Sequence, residues 1–543
     1  MAGFSRTGFF SRSVILFLFQ SGLYAQGADP PLSPYFQLPH HNAFVDYLIH
    51  SGRLRLLHPL NQPYYTANLY ERLESSELTT DGPVSPASDP PKSATFDPPV
   101  LPNSEPPPAG SRLDDWRRML LYDLRRFYYP SLKADGRAYW NLGVNGYYDI
   151  AVDQDKQWTK SRAEIFGVYS LPYLVLMNRT VTDQRFKDDP QYYGDTGEWI
   201  VGRVEDAYLM LRYRNIDLFG GRVSRNLGIL EEPSLLLSDN PYSYDHFGLQ
   251  LNTHRLHYMF ITSRLNDLYA MDGKMEIPAW HQTKRYFSLQ RAEINLHPNL
   301  AVALTEVVVY GGENQNFEAF YLNPANFYYV AQRNQDVKMN GLWGLEFFWK
   351  PLANLSLYSQ LLIDDLIVNN EPGRDDRASH PDRLGVATKI VLADWPAHGM
   401  QLDLVYNRLG NWTYMSYRTW ENYVYHMKSM GYPENSHESI RFAIRYLGRP
   451  PFIVDLSGIY RRHGDRDLND VFGDRKEKFP SGIVEQQSSV NFAILYMPSP
   501  LIHTRLQFRY NSLRNEKNLA DSNHDYFSIL LTLYASLSYH FID

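Results

Sequence analysis

Two adjacent acids, Asp364 and Asp365, are the first residues whose type could carry acid–base chemistry. Cleavage of a glycosidic bond needs two carboxylates flanking one bond, about 5–9.5 Å apart. These two close an apolar run, residues 357–363, that reads as a strand, where consecutive side chains leave on opposite faces. A catalytic pair is not expected there. Asp465, Asp467, Asp470 and Asp474 are spaced suggestively for calcium. They lack the central glycine and terminal glutamate of a regular binding loop, so a solvated charged loop is expected instead. Arg222 and Arg225 could face a lumen and hold an acidic polysaccharide, or pair internally with Glu205 or Asp206, and the internal pairing is the favoured expectation. The 17 histidines fall into no His-Glu-x-x-His motif, and the sequence has no nucleophile elbow, phosphate loop or dinucleotide fingerprint. No enzymatic activity, cofactor or metal is expected. A Ser–His pair assembled only in space would be the exception.

The bulk properties narrow the class. A formal charge of -7 and the lack of an arginine-rich patch or helix-turn-helix pattern give no nucleic-acid partner. With no cysteine in 543 residues, disulfides, thiolate metal sites and cysteine nucleophiles are excluded. Hydrophobic residues make up 44% of the chain and aromatics 15%, including 41 Tyr, yet mean hydropathy is -0.42. Apolar material interleaved with polar residues gives that average, and helical membrane spans do not.

The positioning elements follow from periodicity. Arg6 and Arg12 precede the short apolar run 14–19, with small residues at Gly22, Ala25 and Gly27, which predicts a signal peptide over residues 1–26. Residues 27–80 read as a short periplasmic helical region. Phe44, Val45, Leu48 and Ile49 recur at helical spacing before Gly52, and Tyr65, Leu69 and Leu73 follow Pro63. Residues 81–111 are a Pro-rich linker, read as a spacer. Residues 112–136 hold a helix, from about Leu113 to Phe127, that leads into the barrel with Trp116, Leu120, Leu124 and Phe127 on one face.

From about residue 137 to 543 the period becomes two. Phe527, Ile529, Leu531, Leu533, Ala535, Leu537, Tyr539 and Phe541 share one face, and Ser528, Thr532, Ser536, Ser538 and His540 the other. Similar alternation runs through 140–150, 204–213, 289–296, 342–350, 355–363, 440–446 and 506–510. One face for lipid and one for a polar lumen defines a large antiparallel transmembrane β-barrel in the outer membrane. At roughly 25 residues per strand and its connection, the 400 or so residues give about 16–18 strands. A barrel that wide needs filling to be closed, and the N-terminal helices are candidates for a periplasmic plug.

Several segments together resemble the Wzi family of capsule assembly proteins. They are residues 44–54 with His58-Pro-Leu and Tyr65; Gly221-Arg-Val-Ser-Arg-Asn-Leu-Gly228; Pro233-Ser-Leu-Leu-Leu-Ser-Asp-Asn-Pro241; Asn340-Gly-Leu-Trp-Gly-Leu-Glu346; Leu357-Tyr-Ser-Gln-Leu-Leu-Ile-Asp-Asp365; and Trp412-Thr-Tyr414. The resemblance implies a barrel of about 18 strands with periplasmic helices, and a non-enzymatic role: binding capsular or related exopolysaccharide and retaining it at the cell surface. It implies ligand-binding positions at Arg222, Arg225, Asn226, Ser238, Asn240, Asp364 and Asp365. The expected partners are the polysaccharide, outer-membrane lipid and the outer-membrane insertion machinery, with the protein a monomer. Two other readings remain: a porin-like diffusion channel, and an outer-membrane enzyme acting on lipid or glycan.

Overall fold

In the computed structural model the residues described are 32–75, 112–128, 138–271, 274–276, 283–328, 339–365, 383–473 and 477–542, less single positions and one pair within these spans. The signal peptide, the Pro-rich linker, the 366–382 connection and Asp474 lie outside them. Eighteen strands form one antiparallel sheet. They are β1 (Tyr139–Asp153), β2 (Lys156–Leu171), β3 (Leu174–Asp183), β4 (Gly202–Tyr213), β5 (Ile216–Val223), β6 (Tyr244–Asn252), β7 (Leu256–Leu265), β8 (Lys284–His297) and β9 (Leu300–Gly312). The second half is β10 (Asn340–Leu352), β11 (Leu355–Asp365), β12 (Arg383–Ala393), β13 (Met400–Leu409), β14 (His437–Leu447), β15 (Phe452–His463), β16 (Glu485–Ser499), β17 (Ile502–Arg514) and β18 (His524–Ile542). Each strand pairs with its sequence neighbours, and β1 pairs with β18 from Tyr139↔Ile542 to Asp153↔Ser528. The sheet is a closed barrel without a free edge, the solution lipid imposes because every backbone N–H and C=O must be paired.

Alternation sets inside from outside. On β1, Leu142, Val144 and Ile150 are exposed, whereas Asn141, Asn145 and Asp149 are buried. On β18, Leu537 and Tyr539 are exposed and Tyr534 and Ser536 buried. Trp140 packs with Tyr169 and Phe541 at 4.3 and 5.8 Å, an aromatic girdle at one rim. At that rim the turns are short, as between β2 and β3 or β16 and β17, while at the other the connections are long, notably 184–201, 224–243, 410–436 and 464–484. By that asymmetry the short-turn rim is periplasmic and the long-loop rim extracellular.

Segments enter the lumen from both ends. At the periplasmic end lie α1 (Asn42–His50), α2 (Thr66–Ser75) and α3 (Arg112–Leu124). Phe44, Tyr47, Leu48, Trp116, Leu120 and Leu124 are buried against small wall residues, Ala301 and Ala303, and against Phe348 and Leu447. The sequence places Phe127 on the helix, but the helix stops at Leu124 and Phe127 stacks in the following turn on Phe166 at 5.2 Å. The wall also binds α1 by charge. Lys350 Nζ donates to the carbonyls of Ile49 and His50 (2.8 and 2.6 Å), supplying the C-terminal acceptors of the helix with a cation. Asp46 accepts from Gln401 Nε2 at 2.8 Å and faces Lys389 Nζ at 3.3 Å. Burial pushes the Asp46 carboxyl up, but Lys389, His50 and Arg445 hold it well below the usual carboxylate range.

From the extracellular end, connections 224–243 and 410–436 fold inward. Leu235, Leu236 and Leu237 are fully buried with Trp412, Tyr414 and Met430. Arg285 of β8 reaches in and donates to the carbonyls of Trp420 (2.7 Å) and Asn422 (2.6 Å), pinning the second connection. No helix among the described residues is long and apolar enough to cross a membrane; the strands do so.

Candidate functional site at the extracellular rim

The inward fold of 224–243 and 410–436 leaves the tips of neighbouring connections gathered at the extracellular rim. Connection 184–201 brings Phe186, Tyr192 and Tyr193; connection 224–243 brings Tyr242; connection 410–436 brings Tyr425, His426 and Lys428 on a small hairpin, Val424–Tyr425 with Lys428–Ser429. Tyr193 stacks on the His426 ring at 4.0 Å and 19°. Tyr192 stacks on Phe186 at 4.9 Å and meets Tyr242 edge-on at 6.0 Å. Two cations sit against Tyr242: Arg203 Cζ and Lys428 Nζ, each 4.2 Å from the ring centroid. Asp189 joins Lys428 to Tyr242, accepting from Lys428 Nζ at 2.6 Å and from the Tyr242 hydroxyl. Burial raises the Asp189 carboxyl, and those two hydrogen bonds bring it below its ordinary range. The His426 imidazole is pushed down to about 4 by burial and by Arg203, Arg285 and Arg222, so it is neutral at neutral pH.

Beside this cluster opens a cleft of about 750 Å³ lined by Asp245, Thr262, Ser263, Arg264, Asn266, Asp267, Tyr425 and His426. The volume suits a small ligand or a few sugar units. Carboxylates and amides accept from and donate to vicinal hydroxyls, and ring faces cover the apolar side of a pyranose. Arginine adds a bidentate partner for a uronate or phosphate.

Of the residues singled out in the sequence, Arg222 touches Asp245, one of the residues lining this cleft. It sits on the outward face of β5 and donates Nε and Nη2 to Asp245 (2.9 and 2.9 Å). The expected pairing with Glu205 or Asp206 is not the one that forms. Register places Ala207 opposite Arg222 on β4 and Asp245 opposite it on β6. Glu205 pairs with Arg203 and Asp206 with Arg179. Arg225 points inward, donating to His246 Nε2 at 2.9 Å and lying over Phe219 and Tyr35. Asn226, Ser238 and Asn240 shape and tie the infolded connections: Asn226 accepts from Ser234 N (2.9 Å), Ser238 Oγ donates to the Gly431 carbonyl, and Asn240 Nδ2 donates to the Ser429 carbonyl (2.9 Å). Asp364 accepts from Tyr414 N at 2.6 Å. Asp365 pairs through its backbone with Arg383. Sequence reasoning passed over Tyr193, Tyr242, His426 and Lys428; the Tyr-Tyr pair within the polar run 189–198 was the available signal, because aromatics in a loop have no strand face to explain them.

Residues 146–397 match the family model described as capsule assembly protein Wzi. The matched stretch covers a little under half of the chain. It includes Tyr193, Arg203, Arg222, Tyr242 and Asp245, while Tyr425, His426 and Lys428 lie past its end. The Escherichia coli protein Wzi, an outer membrane protein involved in group 1 capsule assembly and a carbohydrate-binding β-barrel, has the same fold with TM-score 0.58 and 12% identity over 93% of this chain and 99% of that one. Pseudomonas aeruginosa OccK10 (OpdN) aligns with TM-score 0.42 and 11% identity over 74% of this chain and 99% of its own, and OpdK with 0.43, 13%, 74% and 99%. No curated protein matches the chain by sequence. The Wzi resemblance read from the sequence is thus borne out, and so is the large antiparallel barrel of about 16–18 strands, the closed sheet having 18.

Proposed function

We propose that this barrel binds capsular or related exopolysaccharide at the cell surface and retains it there, without catalysis, using the rim cleft and the Tyr193–His426 stack beside it. One observation carries the reading. A lumen packed from both ends leaves a concave surface rich in aromatic, carboxylate, amide and arginine groups at the extracellular rim of a Wzi-family barrel. A diffusion channel needs a continuous aqueous path, and the helices and connections packed inside the barrel stand in its way.

In this reading Tyr193 and His426 give the sugar a ring face, Asp245, Asn266 and Asp267 meet hydroxyls, and Arg222 and Arg264 favour an acidic residue in the glycan. Asn226, Ser238, Asn240 and Asp364 act by holding the infolded connections in place. The test has two arms. In the host, deletion of the gene shifts polysaccharide from the cell-bound to the released fraction, and the intact gene reverses it. With purified protein, host polysaccharide binds in a pull-down, and Tyr193→Ala with His426→Ala weakens it by tenfold or so, about 1.4 kcal/mol. Unchanged partitioning in the host, together with undiminished binding by the double variant, would sink the proposal.

A further inference from the structure

At the opposite end of the barrel, three buried groups meet around one carboxylate oxygen. His40 and His41, in the short turn Pro39–His41 before α1, place their Nε2 atoms 2.8 and 3.0 Å from Asp123 Oδ2 on α3. The side chains are 4%, 0% and 0% exposed. One ligating atom from each lies within 4.8 Å of the others. His503 of β17 stands alongside, its ring 4.9 Å from that of His40 and stacked on Tyr534 at 4.1 Å.

We infer that His40, His41 and Asp123 form a binding site for a divalent transition-metal ion of the zinc type, with His503 or water as fourth ligand. Two imidazoles and a carboxylate are a recurrent three-ligand set for zinc, which then takes a fourth ligand in tetrahedral geometry. Imidazole nitrogen selects zinc, nickel or copper over calcium or magnesium, which prefer oxygen. Donor atoms already 2.8–3.0 Å apart need only move outward by a few tenths of an ångström to surround an ion at about 2.0–2.1 Å each.

One further observation fits a metal-binding carboxylate: it is oriented from behind, Arg126 Nη1 donating to Asp123 Oδ1 at 2.8 Å, the kind of outer contact that fixes such a ligand. His40 and His41 precede the linker 81–111 and Asp123 follows it. An ion here would cross-link the first and last parts of the plug, and through His503 the barrel wall.

The test uses the full-length protein in detergent, stripped with a chelator and titrated calorimetrically with zinc chloride, then with cobalt(II) followed in the visible spectrum. One saturable equivalent and intense cobalt d–d bands are expected. His41→Gln and Asp123→Asn should each abolish both, whereas His58→Gln, at a distant pair with His257, should leave them unchanged. Folding of every variant is checked by heat-modifiable migration on unboiled gels, and His40→Gln substitutes for any variant that fails it. The inference is overturned if the stripped wild type shows no saturable uptake, or if folded ligand variants take up the metal as the wild type does.

Discussion

Gln62 and Asn226 form an isolated antiparallel bridge in the middle of the lumen, the Gln62 N–H donating to the Asn226 carbonyl at 3.2 Å. Gln62 Nε2 reaches the Gly228 carbonyl at 3.1 Å. Gln62 belongs to the periplasmic plug and Asn226 to the connection that enters from outside. One backbone and one side-chain hydrogen bond therefore tie together segments more than 150 residues apart in sequence.

The wall beside that junction carries a fully buried ion pair, Arg291 with Glu346, in which Arg291 also donates to Thr305 Oγ1 (2.8 Å) and the Leu60 carbonyl (3.1 Å). Removing one member leaves an uncompensated charge, so Arg291→Met should destabilise the barrel by about 3–5 kcal/mol. Arg291→Met with Glu346→Leu should recover much of that loss. Urea unfolding in detergent measures both, and a single variant as stable as the wild type would refute the assignment.

Arg222 and Arg225 sit three residues apart and should behave oppositely. Arg222→Ala removes a partly exposed pair and should cost at most about 1 kcal/mol of stability while weakening polysaccharide binding. Arg225→Ala leaves His246 Nε2 buried without its donor and should cost about 1–3 kcal/mol with folded protein binding polysaccharide normally. Thermal unfolding and pull-down on the same two preparations separate the roles.

The barrel was legible because lipid on one side and a polar lumen on the other force a period of two, visible in Leu537, Tyr539 and Phe541 against Ser536 and Ser538. The helices were legible for the same reason at period 3.6, as with Phe44 and Leu48. The rim cluster was not. Tyr193, Tyr242 and His426 come from three connections, and only the inward fold of 224–243 and 410–436 brings them together. Arg222 shows the intermediate case: its strand was apparent, but its partner depended on register, which no local pattern specifies.

Acidification should loosen the rim. Burial and three arginines depress His426 to about 4, against 6.5 in the unfolded chain. Between those values the unfolded state binds more protons, so this contribution to stability is present above about pH 6.5 and is lost as pH falls toward 4. Polysaccharide affinity should decline only as pH nears 4, where the folded His426 itself gains a proton, and flatten in His426→Gln, which cannot titrate. An identical pH profile for both proteins would show that His426 does not govern it.

The filled lumen makes a prediction about conductance that bears on both fillings at once. In planar bilayers the wild type should show no steady single-channel current. A smaller change should loosen the plug without deleting it. A Cβ on Gly344 of β10 collides with the Leu236 side chain, so Gly344→Ala must shift that side chain within the packing of 224–243, at a typical overpacking cost of about 1–3 kcal/mol. Removing residues 227–238 outright should also take away the centre of the Leu235–Leu237 core and admit ions from the extracellular side, giving intermittent or steady current where α1–α3 no longer have an upper partner. A conducting wild type would show that the described packing does not seal the barrel. A silent deletion variant that still folds would show instead that α1–α3 close it unaided, leaving the connections to build the rim.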